Sequence, residues 1–173
     1  TPTLPGRSRF KGITLHAYQY VEPTPYAGQK VVVVGAGESA IQIAVELTTV
    51  AHVTLATRRP LRFIPQRVFG QDIHLFLHGT GFDTLPLGLW KPLRGTQRII
   101  DVARYRNALA LHKPQQRRMF TRFTEDGVVW SDDEEESVDT VIFATGYRPG
   151  LSYLVNLPGA LDEDGNPCHR GGV

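Results

Sequence analysis

Three features of the sequence predict an α/β fold built around a parallel sheet. Lys30-Val-Val-Val-Val34 is a continuous β-branched run, the pattern of a strand buried on both faces. Gly35-Ala-Gly37 breaks the run, and Glu38 to Val50 then carries Ile41, Ala44, Val45 and Thr48 on one helical face. Val53-Thr-Leu-Ala-Thr57 supplies a second strand, so strand, glycine turn, helix and strand follow one another within residues 30–57 as a βαβ unit.

The other elements are placed around that unit. Residues 1–29 contain Pro2, Pro5, Gly6, Gly12, Pro23, Pro25 and Gly28 and read as an arm or interdomain linker with little regular structure. Residues 60–115 read as an insertion of helices and loops. Within it Asp72 is expected to cap a short helix through His78, and Thr96 a helix from Gln97 to Leu111 that Pro114 ends. Met119–Phe123 and Val128–Trp130, joined across Asp126-Gly127, predict a β-hairpin. Asp132–Glu136 reads as a solvated acidic turn, and Val138–Ala144 as a last buried strand. The α/β unit then spans 30–148, and residues 149–173 follow it.

Composition sets bounds on function. The 173 residues are 41% hydrophobic and 21% charged, a globular balance with enough chain for a sizeable core. The apolar runs fall far short of the ~20 residues a membrane helix needs. The single cysteine, Cys168, excludes an internal disulfide and fits a reduced, cytoplasmic setting. Residues 1–122 carry 17 basic and 6 acidic groups, whereas residues 123–173 carry 2 and 11. Fifteen of the basic residues are arginine, whose planar fork suits phosphate. The chain opens on Thr1 rather than a methionine and ends on Gly-Gly-Val, so it reads as a piece of something longer.

Gly35-Ala-Gly37-Glu38-Ser39-Ala40 carries the chemistry. A G-x-G-x-x-A after a strand and opening a helix is the Rossmann-type dinucleotide fingerprint. Gly35 permits the tight turn, Gly37 lets backbone approach a pyrophosphate, and Ala40 takes the third glycine position. The helix N-terminus offers N–H groups and the positive end of its dipole. Glu38 competes with phosphate for that field and is expected to point away. At the end of the second strand, where an acid would accept from the ribose of NADH, stand Thr57, Arg58 and Arg59. Guanidinium groups there favour a 2′-phosphate, hence NADPH over NADH. The plainer reading is that these arginines only solvate a strand end.

Two further motifs resemble a known family. Phe10, Gly12, His16 and Tyr20 form F-x-G-x-x-x-H-x-x-x-Y, similar to the identifying sequence of the flavin-containing monooxygenases, the class B flavoprotein monooxygenases. Phe143-Ala-Thr145-Gly146-Tyr147 resembles the segment where that family's chain leaves its NADPH domain. The motifs fall in the family's order and span nearly the whole chain. The resemblance implies an enzyme holding FAD in one domain and NADPH in another. It would pass one oxygen atom from O2, through a flavin hydroperoxide, to a small soft nucleophile, an amine or sulfide and in some members a ketone. Gly35, Gly37 and Ser39 would then hold the pyrophosphate, and Thr57 and Arg58 the 2′-phosphate. His16 would sit in the linker near the cofactors. No G-x-G-x-x-G precedes Phe10, so the chain resembles the NADPH domain with its flanking linkers, and its partner would be an FAD domain of the same polypeptide.

Two alternatives stand beside this reading: a stand-alone, non-catalytic NADPH-binding module, and another flavoprotein oxidoreductase with two dinucleotide domains. His74 and His78 lack the company of a metal motif, so no metal is expected. Aromatic interleaving among Arg94, Arg98, Arg104 and Arg106 is thin and no binding motif appears, so nucleic acid is not expected. No G-x-S-x-G occurs.

Overall fold

The structure is a computed structural model and describes residues 2–68, 70–72, 75, 78–79, 81, 99–101, 104–147, 150–163 and 167–168. The chain divides into two compact units, residues 1–70 with 97–146 and residues 71–96 with 147–173.

The first unit is organised by a five-stranded, wholly parallel sheet. Its strands are β1 (Ile13–His16), β2 (Lys30–Val34), β3 (His52–Thr57), β8 (Gln115–Arg118) and β12 (Thr140–Phe143), in the spatial order β1-β12-β2-β3-β8. The unit also contains β4 (Phe63–Pro65), β5 (Arg67–Val68) and β7 (Ile99–Asp101), with β4 and β7 paired in parallel. Helix α1 (Glu38–Leu47) joins β2 to β3, and α2 (Arg104–Ala110) precedes β8. Strands β9 (Arg122–Phe123), β10 (Gly127–Val129) and β11 (Glu135–Ser137) form an antiparallel meander in the order β11-β10-β9.

The apolar run of β2 is buried on both faces, as its continuity requires. Val31 and Val33 pack with Leu55, Ile142 and the α1 residues Ala40, Ala44 and Leu47. Val32 and Val34 face the other way and pack with Phe143, Phe120, Phe123, Val128 and Trp130 of the meander side. The far side of α1 presents Ile41 and Val45 to Ile99 and Tyr105. The helix ends three residues before the expected Val50. Thr48 and Thr49 turn their hydroxyls back onto the carbonyls of Val45 and Glu46, at 2.6 and 2.7 Å, and close the last turn.

Several strands differ from expectation: Phe63–Pro65, Arg67–Val68, Gln71–Asp72 and Ile99–Asp101 fall in the stretch 60–115 read as helices and loops, and neither edge strand of the main sheet is among those expected. Ile13–His16 lies in the arm read as irregular, yet it pairs in parallel with β12 and forms one edge of the sheet. Its β-branched start outweighs the flanking glycines. At the other edge Gln115–Arg118 pairs with β3 although it contains no apolar residue. Polar and charged residues are what an exposed edge tolerates. The expected helix from Gln97 is also displaced: Ile99–Asp101 is a strand beside Phe63–Pro65, and the helix begins at Arg104. Thr96 and Gln97 lie outside the described residues. The hairpin forms, but its strands are Arg122–Phe123 and Gly127–Val129 rather than Met119–Phe123 and Val128–Trp130, with Val128 opposite Phe123 and the Thr124 N–H donating to the Gly127 carbonyl at 2.9 Å.

The acidic run is more than a solvated turn. Asp132 and Glu134 accept from the Arg117 guanidinium at 2.9 and 2.7 Å, Glu136 lies 3.5 Å from it, and the same guanidinium sits 4.5 Å from the centre of the Trp130 ring.

In the second unit, β6 (Gln71–Asp72) takes up Asp72 as a strand residue rather than a helix cap, while Leu75, His78 and Gly79 are helical. Ser152–Leu154 is a single 3-10 turn. Leu161 bridges Pro167, and the Cys168 N–H donates to the Ala160 carbonyl at 2.8 Å.

Candidate functional site

A parallel sheet puts every strand's carboxyl end on one edge, and the candidate residues gather there. His16 ends β1, Gly35 follows β2, Arg58 and Arg59 follow Thr57 of β3, and Thr145 and Gly146 follow β12. Between β12 and β2 the chain order reverses direction across the sheet. Such a switch point opens a crevice at the carboxyl edge. A depression lined by Lys11, Gly12, Gln29, Ser137 and Asp139 lies where β1, β2 and β12 begin, at the opposite edge.

The glycine turn is dictated by close approach. Gly35 has φ of 153°, and a Cβ there would lie 2.3 Å from the Ala144 carbonyl oxygen and 2.9 Å from the Ala40 Cβ. Its N–H donates to the Ala56 carbonyl at 3.0 Å, which fastens the turn beside the end of β3. Gly37 is extended, at φ −98° and ψ 178°, and is the N-cap of α1, its carbonyl accepting from the N–H groups of Ala40 and Ile41. No side chain caps this helix start. Its first N–H groups therefore face the crevice unclaimed by a protein cap, as at an anion-binding helix end. Glu38 and Ser39 are exposed, and Ala40 is buried against the turn.

At the end of β3, Thr57 is buried and its hydroxyl accepts from the Gln116 side chain at 3.4 Å. Arg58 and Arg59 are exposed, and among the described residues neither has an ion-pair partner. Arg118 is the register partner of Thr57 on β8. The sequence reading missed it, because Gln115-Gln-Arg-Arg118 has no strand signature.

The arm is fastened to the sheet by its motif residues. Phe10 packs against Phe123 of the meander, the rings tilted with centroids 5.1 Å apart. A Cβ on Gly12 would lie 2.5 Å from the Asp139 carbonyl oxygen. Tyr20 stacks on Tyr26 at 5.8 Å and donates its hydroxyl to Glu46 of α1 at 3.1 Å. Burial, and then the Glu46 carboxylate, push the Tyr20 phenol well above its ordinary value. The His16 Nδ1 accepts from the Tyr18 N–H at 3.4 Å. With that role fixed, Nε2 carries the proton and donates to the Gly146 carbonyl at 3.3 Å. The two family-like motifs, 130 residues apart, thus meet at the carboxyl edge. His74, Arg94 and Arg98 lie outside the described residues; among those described, no cluster of three metal-ligating side chains occurs and no helix is long and apolar enough to cross a membrane.

A parallel sheet whose central strand runs through a glycine turn into a helix defines a Rossmann-type α/β protein. The flavin-binding monooxygenase-like family model matches residues 1–77. Indole-3-pyruvate monooxygenase YUCCA1 of Oryza sativa subsp. japonica is 28% identical, the match covering 99% of this chain and 48% of that protein. Flavin-containing monooxygenase 3 of Rattus norvegicus is 30% identical over 88% of this chain and 34% of its own length. The structure of a flavin-containing monooxygenase from Stenotrophomonas maltophilia superposes with a TM-score of 0.72 at 28% identity, covering 99% of this chain and 45% of that one. By these matches the chain is similar to the flavin monooxygenases. It spans less than half the length of these relatives.

Proposed function

We propose that this chain is the NADPH-binding part of an FAD-dependent monooxygenase acting on a small soft nucleophile, an amine or a sulfide. The observation that carries the reading is the pairing, on one sheet edge, of an uncapped helix start behind Gly35 with a cationic, acid-free end of β3. No acidic residue occurs anywhere from 51 to 71.

The donor set fits the cofactor. The turn at Gly35 and the N–H groups at the start of α1 suit a pyrophosphate. The Thr57 hydroxyl and the Arg58 and Arg59 guanidinium groups suit a 2′-phosphate, which a carboxylate at this place would repel. Glu38 is exposed on the first helical turn. The cofactors would supply hydride and oxygen chemistry; these residues bind, orient and discriminate. His16, held by Gly146 and Tyr18, keeps the arm at the edge where nicotinamide and flavin would meet. FAD would be held by a further domain of the same polypeptide, in line with the relatives' greater length.

The test has two arms. The isolated chain should bind NADPH more tightly than NADH and carry no flavin. The longer polypeptide should purify with a visible flavin band that NADPH bleaches without oxygen, and should consume NADPH faster when an amine or sulfide is added. Equal affinity for the two nicotinamides would remove the reading at its base.

A further inference from the structure

Adjacent arginines on β8 have opposite surroundings. Arg117 is the register partner of Ala56, and its guanidinium is taken up by Asp132, Glu134 and the Trp130 ring on the meander face. Alternation along a strand sends Arg118 to the other face, where α1 lies and where its register partner Thr57 also points. Arg118 is exposed, and among the described residues it has no ion-pair partner. Residues 104–124 contain no acid, just as residues 51–71 contain none. The acidic turn therefore neutralises the arginine that faces away from the candidate site and leaves the one beside Thr57 uncompensated.

We propose that Arg118 is a specificity-determining residue for the adenosine 2′-phosphate, binding it from the end of β8 opposite Arg58, which follows β3. This rests on the NADPH reading and adds a contact from a strand that carries no part of the dinucleotide fingerprint. A guanidinium on each of two neighbouring strand ends grips a phosphate from two sides, which a single arginine following β3 does not do. Arg117 is the positioning residue: with its side chain clamped, the pleat at the end of β8 fixes the direction in which Arg118 leaves the strand.

The test is calorimetric binding of adenosine 2′,5′-bisphosphate and of AMP to the full chain, its Arg118→Gln and Arg118→Lys variants, and an Arg122→Gln control on β9. The parent should prefer the bisphosphate. Arg118→Gln should lower that preference by about tenfold and leave AMP binding within about twofold, while Arg118→Lys keeps part of it and Arg122→Gln keeps all of it. Unchanged preference in Arg118→Gln, with the parent still discriminating, overturns the role of Arg118 and leaves the NADPH reading standing. A parallel fall for both ligands overturns it too, placing Arg118 against the adenine instead. A parent that does not discriminate removes the NADPH reading itself.

Discussion

Gly35 and Ala144 approach so closely that any side chain at position 35 would collide with the Ala144 carbonyl oxygen, 2.3 Å from where a Cβ would stand. The contact joins the glycine turn to the residue that opens the Ala-Thr-Gly-Tyr segment, so the two motifs share one piece of backbone packing. Gly35→Ala combines this clash with an unfavourable φ and should cost about 2–5 kcal/mol, seen as a lowered urea midpoint, with nucleotide binding lost in parallel.

Arg58 and Arg59 should act on cofactor choice rather than on folding, because both are exposed. Replacing both with alanine should lower NADPH affinity by about 10- to 100-fold and leave NADH affinity almost unchanged. Fluorescence titration of the two nicotinamides reads this ratio directly, and a ratio equal to the parent's would contradict the assignment.

Tyr20 couples the arm to α1 through Glu46. Tyr20→Phe should cost about 0.5–1.5 kcal/mol near neutral pH. The pH dependence has a defined sign. The folded-state phenol is raised, so its stabilising contribution is complete below the ordinary tyrosine value of about 10 and is lost as pH rises beyond it. Thermal unfolding followed between about pH 8 and 11 should show a steeper decline for the parent than for Tyr20→Phe.

The clamp on Arg117 has the opposite sign. Against the cost of burial, the Arg117 hydrogen bond holds the Asp132 carboxyl below its ordinary value. Its contribution is therefore present above the ordinary carboxylate value and lost as pH falls through the depressed one. Trp130, stacked on Arg117 and donating to Glu136 at 2.7 Å, reports the change. Its emission should shift on acidification in the parent. Arg117→Gln should show the shifted emission already at neutral pH, with a loss of about 1–2 kcal/mol.

The central part of this fold is legible in the sequence because its signals are local. Lys30–Val34 is continuous and β-branched, α1 has a periodic face, and Asp126-Gly127 is a turn dipeptide. The sheet edges are not legible for the same reason. Ile13–His16 hides between Gly12 and the prolines that follow, and Gln115–Arg118 is wholly polar. Both are strands because a long-range partner accepts them, Thr140–Phe143 in one case and Thr54–Thr57 in the other. The candidate site inherits this division. Gly35 to Ala40 and Thr57 to Arg59 follow from motif and spacing, whereas Arg118 joins them only through register across 61 residues of chain, from Thr57 on. The acidic run misleads for a related cause: which cation meets Asp132 and Glu134 is set by the pairing of β8, which nothing within residues 132–136 encodes.

Paired titrations of the purified chain with NADPH and with NADH, under identical buffer and salt, test the central claim most directly. The account predicts saturable binding of NADPH and affinity for NADH weaker by about tenfold or more. Equal affinities, or no binding of either, would contradict it.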